Sequence, residues 1–150
     1  MASRVTNGEY RALAELRYQL RRFLQFSERT ARSENVEPQQ HQLLLAIKGM
    51  PDGSVASVGA LAERLQVRHH SAVELVDRME AGGLVRRGRG SGDRRRVIVR
   101  LTRRGEGLLA RLSRHHRIEL RSVAPALLRA LHTLLGDGSS ARRHIRRRNA

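Results

Sequence analysis

The sequence predicts a mainly α fold with one small β-hairpin. Three observations carry that expectation: apolar residues recur at spacings of three and four over most of the chain, one short stretch alternates instead, and the two β-prone runs of that stretch are joined by glycines. The chain has 150 residues, enough for one domain with its own core, and no cysteine. Disulfide frameworks, thiolate metal sites, cysteine nucleophiles and thiol redox switches are thereby excluded.

From Glu9 to Ser33 the residues Tyr10, Leu13, Leu16, Leu20, Phe23 and Leu24 form the stripe of one long amphipathic helix. A second helix starts at Pro38, a residue suited to a first turn, and stops at Gly49 and Pro51. Ser57 is placed to cap a short helix carrying Val58, Leu61, Ala62 and Leu65. A further helix is expected over His69–Ala81, with Ala72, Val73, Val76 and Met79 inward and Gly82-Gly83 at its end. Two short helices joined by a tight turn make a helix-turn-helix.

Leu84–Arg87 and Arg94–Leu101, joined by Gly88–Asp93, read as a hairpin in which Val97, Val99 and Leu101 alternate with Ile98 and Arg100. This is the shape of a wing. Thr102 can cap a long helix running toward Ile118 and Leu120 in spite of Gly105 and Gly107. A last helix is expected to start near Ser122, with Pro125 in its first turn and Leu127, Leu128, Leu131, Leu134 and Leu135 as its stripe. The expected organisation is a winged helix-turn-helix domain plus a helical dimerisation region. Its parts are an N-terminal dimerisation helix over 1–36, a DNA-binding domain over 37–104, C-terminal dimerisation helices over 105–136 and a basic flexible tail over 137–150.

Thirty basic residues against 14 acidic ones give a net charge of +16, and all the basic residues but Lys48 are arginine. Such a balance points to an anionic partner, nucleic acid before a membrane surface. The aromatics are confined to Tyr10, Tyr18, Phe23 and Phe26, too few and too far toward one end for base stacking on single strands, so duplex DNA is the better match. No apolar run approaches the ~20 residues of a membrane span, and the start of the chain has no apolar signal region; a cytoplasmic protein is expected.

The N-terminal end of a recognition helix reaches base edges in the major groove, which singles out Arg68, His69, His70 and Ser71, with Glu74 one turn on. Nine arginines and one acid lie between Val85 and Arg104. A glycine-rich hairpin tip is narrow enough to enter a minor groove, with Arg94 or Arg95 as the inserted side chain and Asp93 orienting its fork. Arg78, Arg87 and Arg96 are further candidate DNA contacts. The competing reading of the wing arginines is a solvated turn, and that of the five tail arginines is a non-specific tether.

His69-His70 and His115-His116 are adjacent pairs and point about 100° apart, so neither chelates as ligands four residues apart would. A site assembled from His41, His115 and His116 stays open, but no metal and no other cofactor is assigned. There is no nucleophile elbow, no phosphate-binding glycine loop before a helix and no carboxylate pair at useful spacing, so no enzyme is expected.

The stretches Leu61-Ala62-Glu63-Arg64-Leu65-Gln66-Val67, Leu75-Val76-Asp77-Arg78-Met79-Glu80-Ala81-Gly82-Gly83-Leu84-Val85-Arg86-Arg87 and Asp93-Arg94-Arg95-Arg96-Val97-Ile98-Val99-Arg100-Leu101-Thr102-Arg103-Arg104-Gly105 resemble the MarR family of winged helix-turn-helix regulators. The sequence departs from that pattern in three places: Arg68 stands where a small capping residue is usual, Met79 replaces a leucine, and Glu74 stands where a basic or hydroxyl residue is commoner. The resemblance implies a homodimer formed by the first and the C-terminal helices, most often a repressor on a pseudo-palindromic operator. It also implies release by a small anionic or phenolic effector, for which Tyr18, Arg22, Phe26 and His41 are the candidate contacts. The rival expectations are a sequence-tolerant architectural DNA-binding protein and a metal-responsive regulator on the same fold.

Overall fold

The structure is a computed structural model, which describes residues 4–90 and 96–136. It contains five helices and one hairpin among them: α1 (Asn7–Ser33), α2 (Pro38–Lys48), α3 (Val58–Leu65), α4 (His69–Ala81), β1 (Val85–Arg89), β2 (Val97–Leu101) and α5 (Arg103–Leu135). The mainly α fold with a small β-hairpin wing is therefore the observed one.

Side-chain caps place most of the helix starts. Thr6 and Glu9 close a reciprocal pair at the head of α1, with Thr6 N–H donating to Glu9 Oε2 at 2.7 Å and Glu9 N–H to Thr6 Oγ1 at 3.2 Å. Gln40 Oε1 accepts from Glu37 N–H at 3.0 Å before α2, and Ser57 Oγ from Ala60 N–H at 3.2 Å before α3. Thr102 Oγ1 accepts from Gly105 N–H at 3.1 Å and donates to the Gly83 carbonyl, which fixes α5 against the end of α4. α4 differs: Arg68 occupies its N-cap position and offers no side-chain cap.

The hairpin is antiparallel, with Val85 opposite Leu101, Arg87 opposite Val99 and Arg89 opposite Val97. The first strand thus runs two residues beyond the expected Arg87, through Gly88 and Arg89, and the second is described over Val97–Leu101, with Arg96 outside it. Val99 N–H also donates to the Ala56 carbonyl at 2.9 Å, tying the wing to the segment before α3.

One expectation fails. The C-terminal segment is not two helices but a single α5, which passes through Ser122 with Pro125 inside it. Proline removes one amide donor and crowds the preceding turn, which weakens a helix without obliging it to end. Here Pro125 is exposed, and buried Val123 and Ala130 hold the helix on either side of it.

The chain divides into two compact units whose borders fall within α1 and α5. One unit is continuous, Ser27–His115, and holds the helix-turn-helix and the wing. Its core joins Leu43 and Leu44 of α2, Leu61 of α3, Leu75, Val76 and Met79 of α4, Val85 and Val99 of the wing, and Leu108, Leu109 and Leu112 of α5. The other unit joins α1 up to Phe26 with α5 from His116. In it Phe23 and Phe26 each meet the His116 ring edge-on, with centroids 5.8 Å apart. No helix among the described residues is long and apolar enough to cross a membrane.

Candidate nucleic-acid interface

α3 ends at Gln66 in the left-handed conformation, φ 55°, and three residues later α4 begins. That turn leaves the head of α4 outside the core: Arg68, His69, His70 and Glu74 are exposed, and Ser71 is half-buried. His70, Glu74 and Arg78 are exposed and follow at spacing four, so one helix face carries them in a row. Leu75, Val76 and Met79 on the other face are buried. Because no side chain caps α4, the amides of its first turn are open to an outside acceptor such as a phosphate oxygen.

The wing adds charge beside this helix. Arg86 and Arg100 are directly opposite each other across the hairpin and both are exposed. Like charges in that position destabilise a hairpin on their own. Among the described residues neither pairs with a carboxylate. A Cβ on Gly88 would come within 3.1 Å of Arg100 Nη1, so the missing side chain leaves room for that guanidinium to lie across the strands. Gly90 N–H donates to the Arg96 carbonyl at 3.1 Å, closing the described end of the hairpin with Arg89 and Arg96 exposed.

Arg87 has a different place from the other wing arginines. Its Nη1 donates to Glu80 Oε2 at 2.6 Å, its backbone N–H to Glu80 Oε1 at 2.8 Å, and its Nη2 to Asp77. The backbone N–H of Arg87, then its guanidinium, hold the Glu80 carboxyl below the usual carboxylate range. The guanidinium is thus neutralised within the fold and pins the first wing strand to α4.

Arg94 and Arg95, expected at the hairpin tip, and Asp93 beside them lie outside the described residues, as do residues 137–150. A cavity of about 760 Å³ opens between the α2–α3 turn, the outer face of α3 and the wing, with Arg64 on one bank and Arg96 on the other. Neither Arg64 nor the facing pair Arg86 and Arg100 stands out in the sequence. Arg100 could have been found from its alternation with Val99 and Leu101; nothing in the local pattern marks Arg64.

The four candidate effector contacts are distributed over both units. In one, the Arg22 guanidinium sits 5.8 Å from the centre of the Tyr18 ring, and Phe26 packs on His116. In the other, His41 is buried within α2. Among the described residues no three His, Cys, Asp or Glu side chains converge as a metal site.

The exposed helix α4, the basic hairpin that flanks it and the helix before it make up a winged helix-turn-helix. Residues 34–96 match the sequence model of the MarR family. No curated protein sequence matches the chain. Among solved structures the fold is similar to AbsC, a MarR family transcriptional regulator from Streptomyces coelicolor, with TM-score 0.66, 21% identity, and 97% of this chain and 99% of that one covered. It is similar to a MarR family protein from Bacillus stearothermophilus, with TM-score 0.64, 26% identity and 79% and 82% covered. It is also similar to Bordetella bronchiseptica BpsR, whose DNA binding is regulated by 6-hydroxynicotinic acid, with TM-score 0.59, 22% identity and 80% and 86% covered. Residues 34–96 thus resemble a MarR family domain, and the fold of the chain is similar to that of MarR family proteins.

Proposed function

We propose that the protein is a homodimeric regulator that binds a pseudo-palindromic site in duplex DNA and acts as a ligand-responsive repressor in the cytoplasm. The observation that carries the reading is the uncapped head of α4, with Arg68, His69, His70 and Glu74 exposed beside a hairpin on which, among the described residues, only Arg87 pairs with a carboxylate. Arg68, His69, His70, Ser71 and Glu74 contact bases in the major groove. Arg94 and Arg95 enter the minor groove. Arg64, Arg78, Arg86, Arg96 and Arg100 contact phosphates, which fix register and supply most of the affinity while the base contacts choose the site.

A second copy of the chain is the partner. The α1 residues Tyr10, Leu13, Leu20 and Leu24 and the α5 residues Leu120, Leu128, Leu131 and Leu135 are all exposed. Those of α5 recur at spacings of three, four and eight along one flank of the helix. A two-fold interface covers such flanks on both copies at once and sets the two α4 heads about one turn of DNA apart. BpsR is regulated by a small organic acid. A comparable effector, with Tyr18, Arg22 and Phe26 as its contacts, acts here by differing in affinity for the DNA-competent and DNA-incompetent arrangements.

The test is selection of bound duplexes from a random pool at about 150 mM salt, where non-specific attraction is screened. The expected product is a two-fold symmetric motif with half-sites ~10 base pairs apart, preferred over unrelated duplex by at least ~10³-fold. Enrichment of nothing, or of A·T-rich DNA without symmetry, refutes it in favour of an architectural DNA-binding role.

A further inference from the structure

A cavity of about 430 Å³ lies wholly within the Ser27–His115 unit, at the other end of α4 from the DNA-reading residues. Arg103, Arg104 and Arg111 of α5 enter it, with Glu34 from the α1–α2 corner as the one acid. Three guanidiniums against one carboxylate leave two net positive charges.

The arginines are positioned rather than merely near. Arg111 is held by Glu34, whose Oε2 accepts from Nε at 3.2 Å and from Nη2 at 3.1 Å. Arg104 Nη1 donates to the Gly82 carbonyl at 3.0 Å. Among the described residues Arg103 has no hydrogen-bond or ion-pair partner that offsets its charge. Each guanidinium has five N–H donors, so most of the donors lining the cavity remain unspent. Behind them, Leu84 and Leu108 form an apolar floor and are themselves buried.

We infer that this cavity binds a phosphate monoester carried on a small organic body. Its charge at neutral pH, −1.5 to −2, matches the two net positive charges, and its three free oxygens match forked arginine donors better than a single carboxylate would. The floor accepts the organic part, and the volume lies in the range of small-molecule sites. Such a ligand fills the cavity without DNA, which distinguishes it from a phosphate of a bound duplex. The inference is independent of the effector contacts proposed on α1, and of DNA binding.

The test is calorimetric titration of the full chain, free of DNA and at constant ionic strength, with phenyl phosphate and with inorganic phosphate. Expected is one site per chain for phenyl phosphate, with inorganic phosphate weaker. Arg103→Gln, an exposed residue at the first turn of α5, should weaken binding about tenfold or more, the value of one or two charge-assisted hydrogen bonds. Arg121→Gln removes the same charge elsewhere on α5 and should leave it unchanged. Glu34→Gln removes the competing carboxylate and should tighten binding severalfold, a change of sign that a folding defect does not produce. Equal losses in Arg103→Gln and Arg121→Gln would reduce the attraction to the net charge of the chain and overturn the inference. So would inorganic phosphate binding as tightly as phenyl phosphate, unaltered affinity in Glu34→Gln, or no heat at millimolar ligand.

Discussion

Gly105 and Gly107 stand two residues apart in the first turns of α5, and replacing each by alanine should move stability in opposite directions. In a helix interior alanine is favoured over glycine by about 1 kcal/mol, so local propensity alone has both substitutions stabilise. A Cβ on Gly105, however, would lie 2.1 Å from the Leu84 carbonyl oxygen and 3.1 Å from its carbon. Both are backbone atoms with no rotamer to escape into, so α5 and the entry to β1 must part by roughly 1–1.5 Å to regain ordinary contact. That movement strains the bonds joining the two elements: Thr102 N–H to the Leu84 carbonyl at 3.0 Å and Thr102 Oγ1 to the Gly83 carbonyl at 2.7 Å. Two weakened hydrogen bonds at about 1 kcal/mol each and an overpacking cost of about 1–3 kcal/mol exceed the helix gain, for a net loss of about 2–4 kcal/mol. In a chain of this size that is a fall in Tm of about 5–15 °C. A Cβ on Gly107 meets nothing nearer than Arg111 Nη1 at 3.9 Å, so Gly107→Ala should raise Tm by a few degrees. Thermal unfolding followed by circular dichroism reads both. Gly105→Ala melting at or above the parent, or both variants shifting the same way, would refute the close approach of α5 to Leu84.

Leu61→Ala, at a side chain with no solvent exposure, should cost about 2–5 kcal/mol in urea unfolding, and a loss under 1 kcal/mol would mean that α3 does not pack on the core as described. Leu20→Glu with Leu128→Glu should leave a folded monomer by sedimentation at micromolar concentration; a persisting dimer would move the interface off these flanks. Arg64→Ala should lower DNA affinity equally for all sequences and reduce the log–log salt slope by about one, whereas an unchanged slope would take α3 out of the phosphate contacts. Glu80, through Arg87, and Glu106, through its hydrogen bond to Lys48, are both held below the usual carboxylate range. A depressed carboxyl stabilises above its unfolded value and loses that contribution as pH falls through the folded one, so stability should decline below pH 4.5. Arg87→Gln should make that acid decline shallower, and an identical decline would deny the tie between wing and α4.

Much of the fold was legible because its signals are local. The spacing of Leu61, Leu65, Val76 and Met79 marks two short helices, and Ser57 and Thr102 cap where their side chains predict. The alternation of Val97, Val99 and Leu101 marks a strand. The continuity of α5 was not legible, because whether Pro125 ends a helix depends on what Val123 and Ala130 pack against rather than on the proline. The ion pairs of Arg87 were not legible for a similar reason: its carboxylate partners, Asp77 and Glu80, are on another element, ten and seven residues away.

The sequence by itself determined the element types, the excess of positive charge and its concentration around the hairpin, since composition and periodicity survive any arrangement in space. Only the tertiary structure decided which arginines are spent within the fold and which are left to bind. It also separated Gly105 from Gly107, one pressed on a backbone carbonyl and the other clear of it. Both are questions of distance between groups on different elements, and a close approach is set by packing that no local pattern encodes.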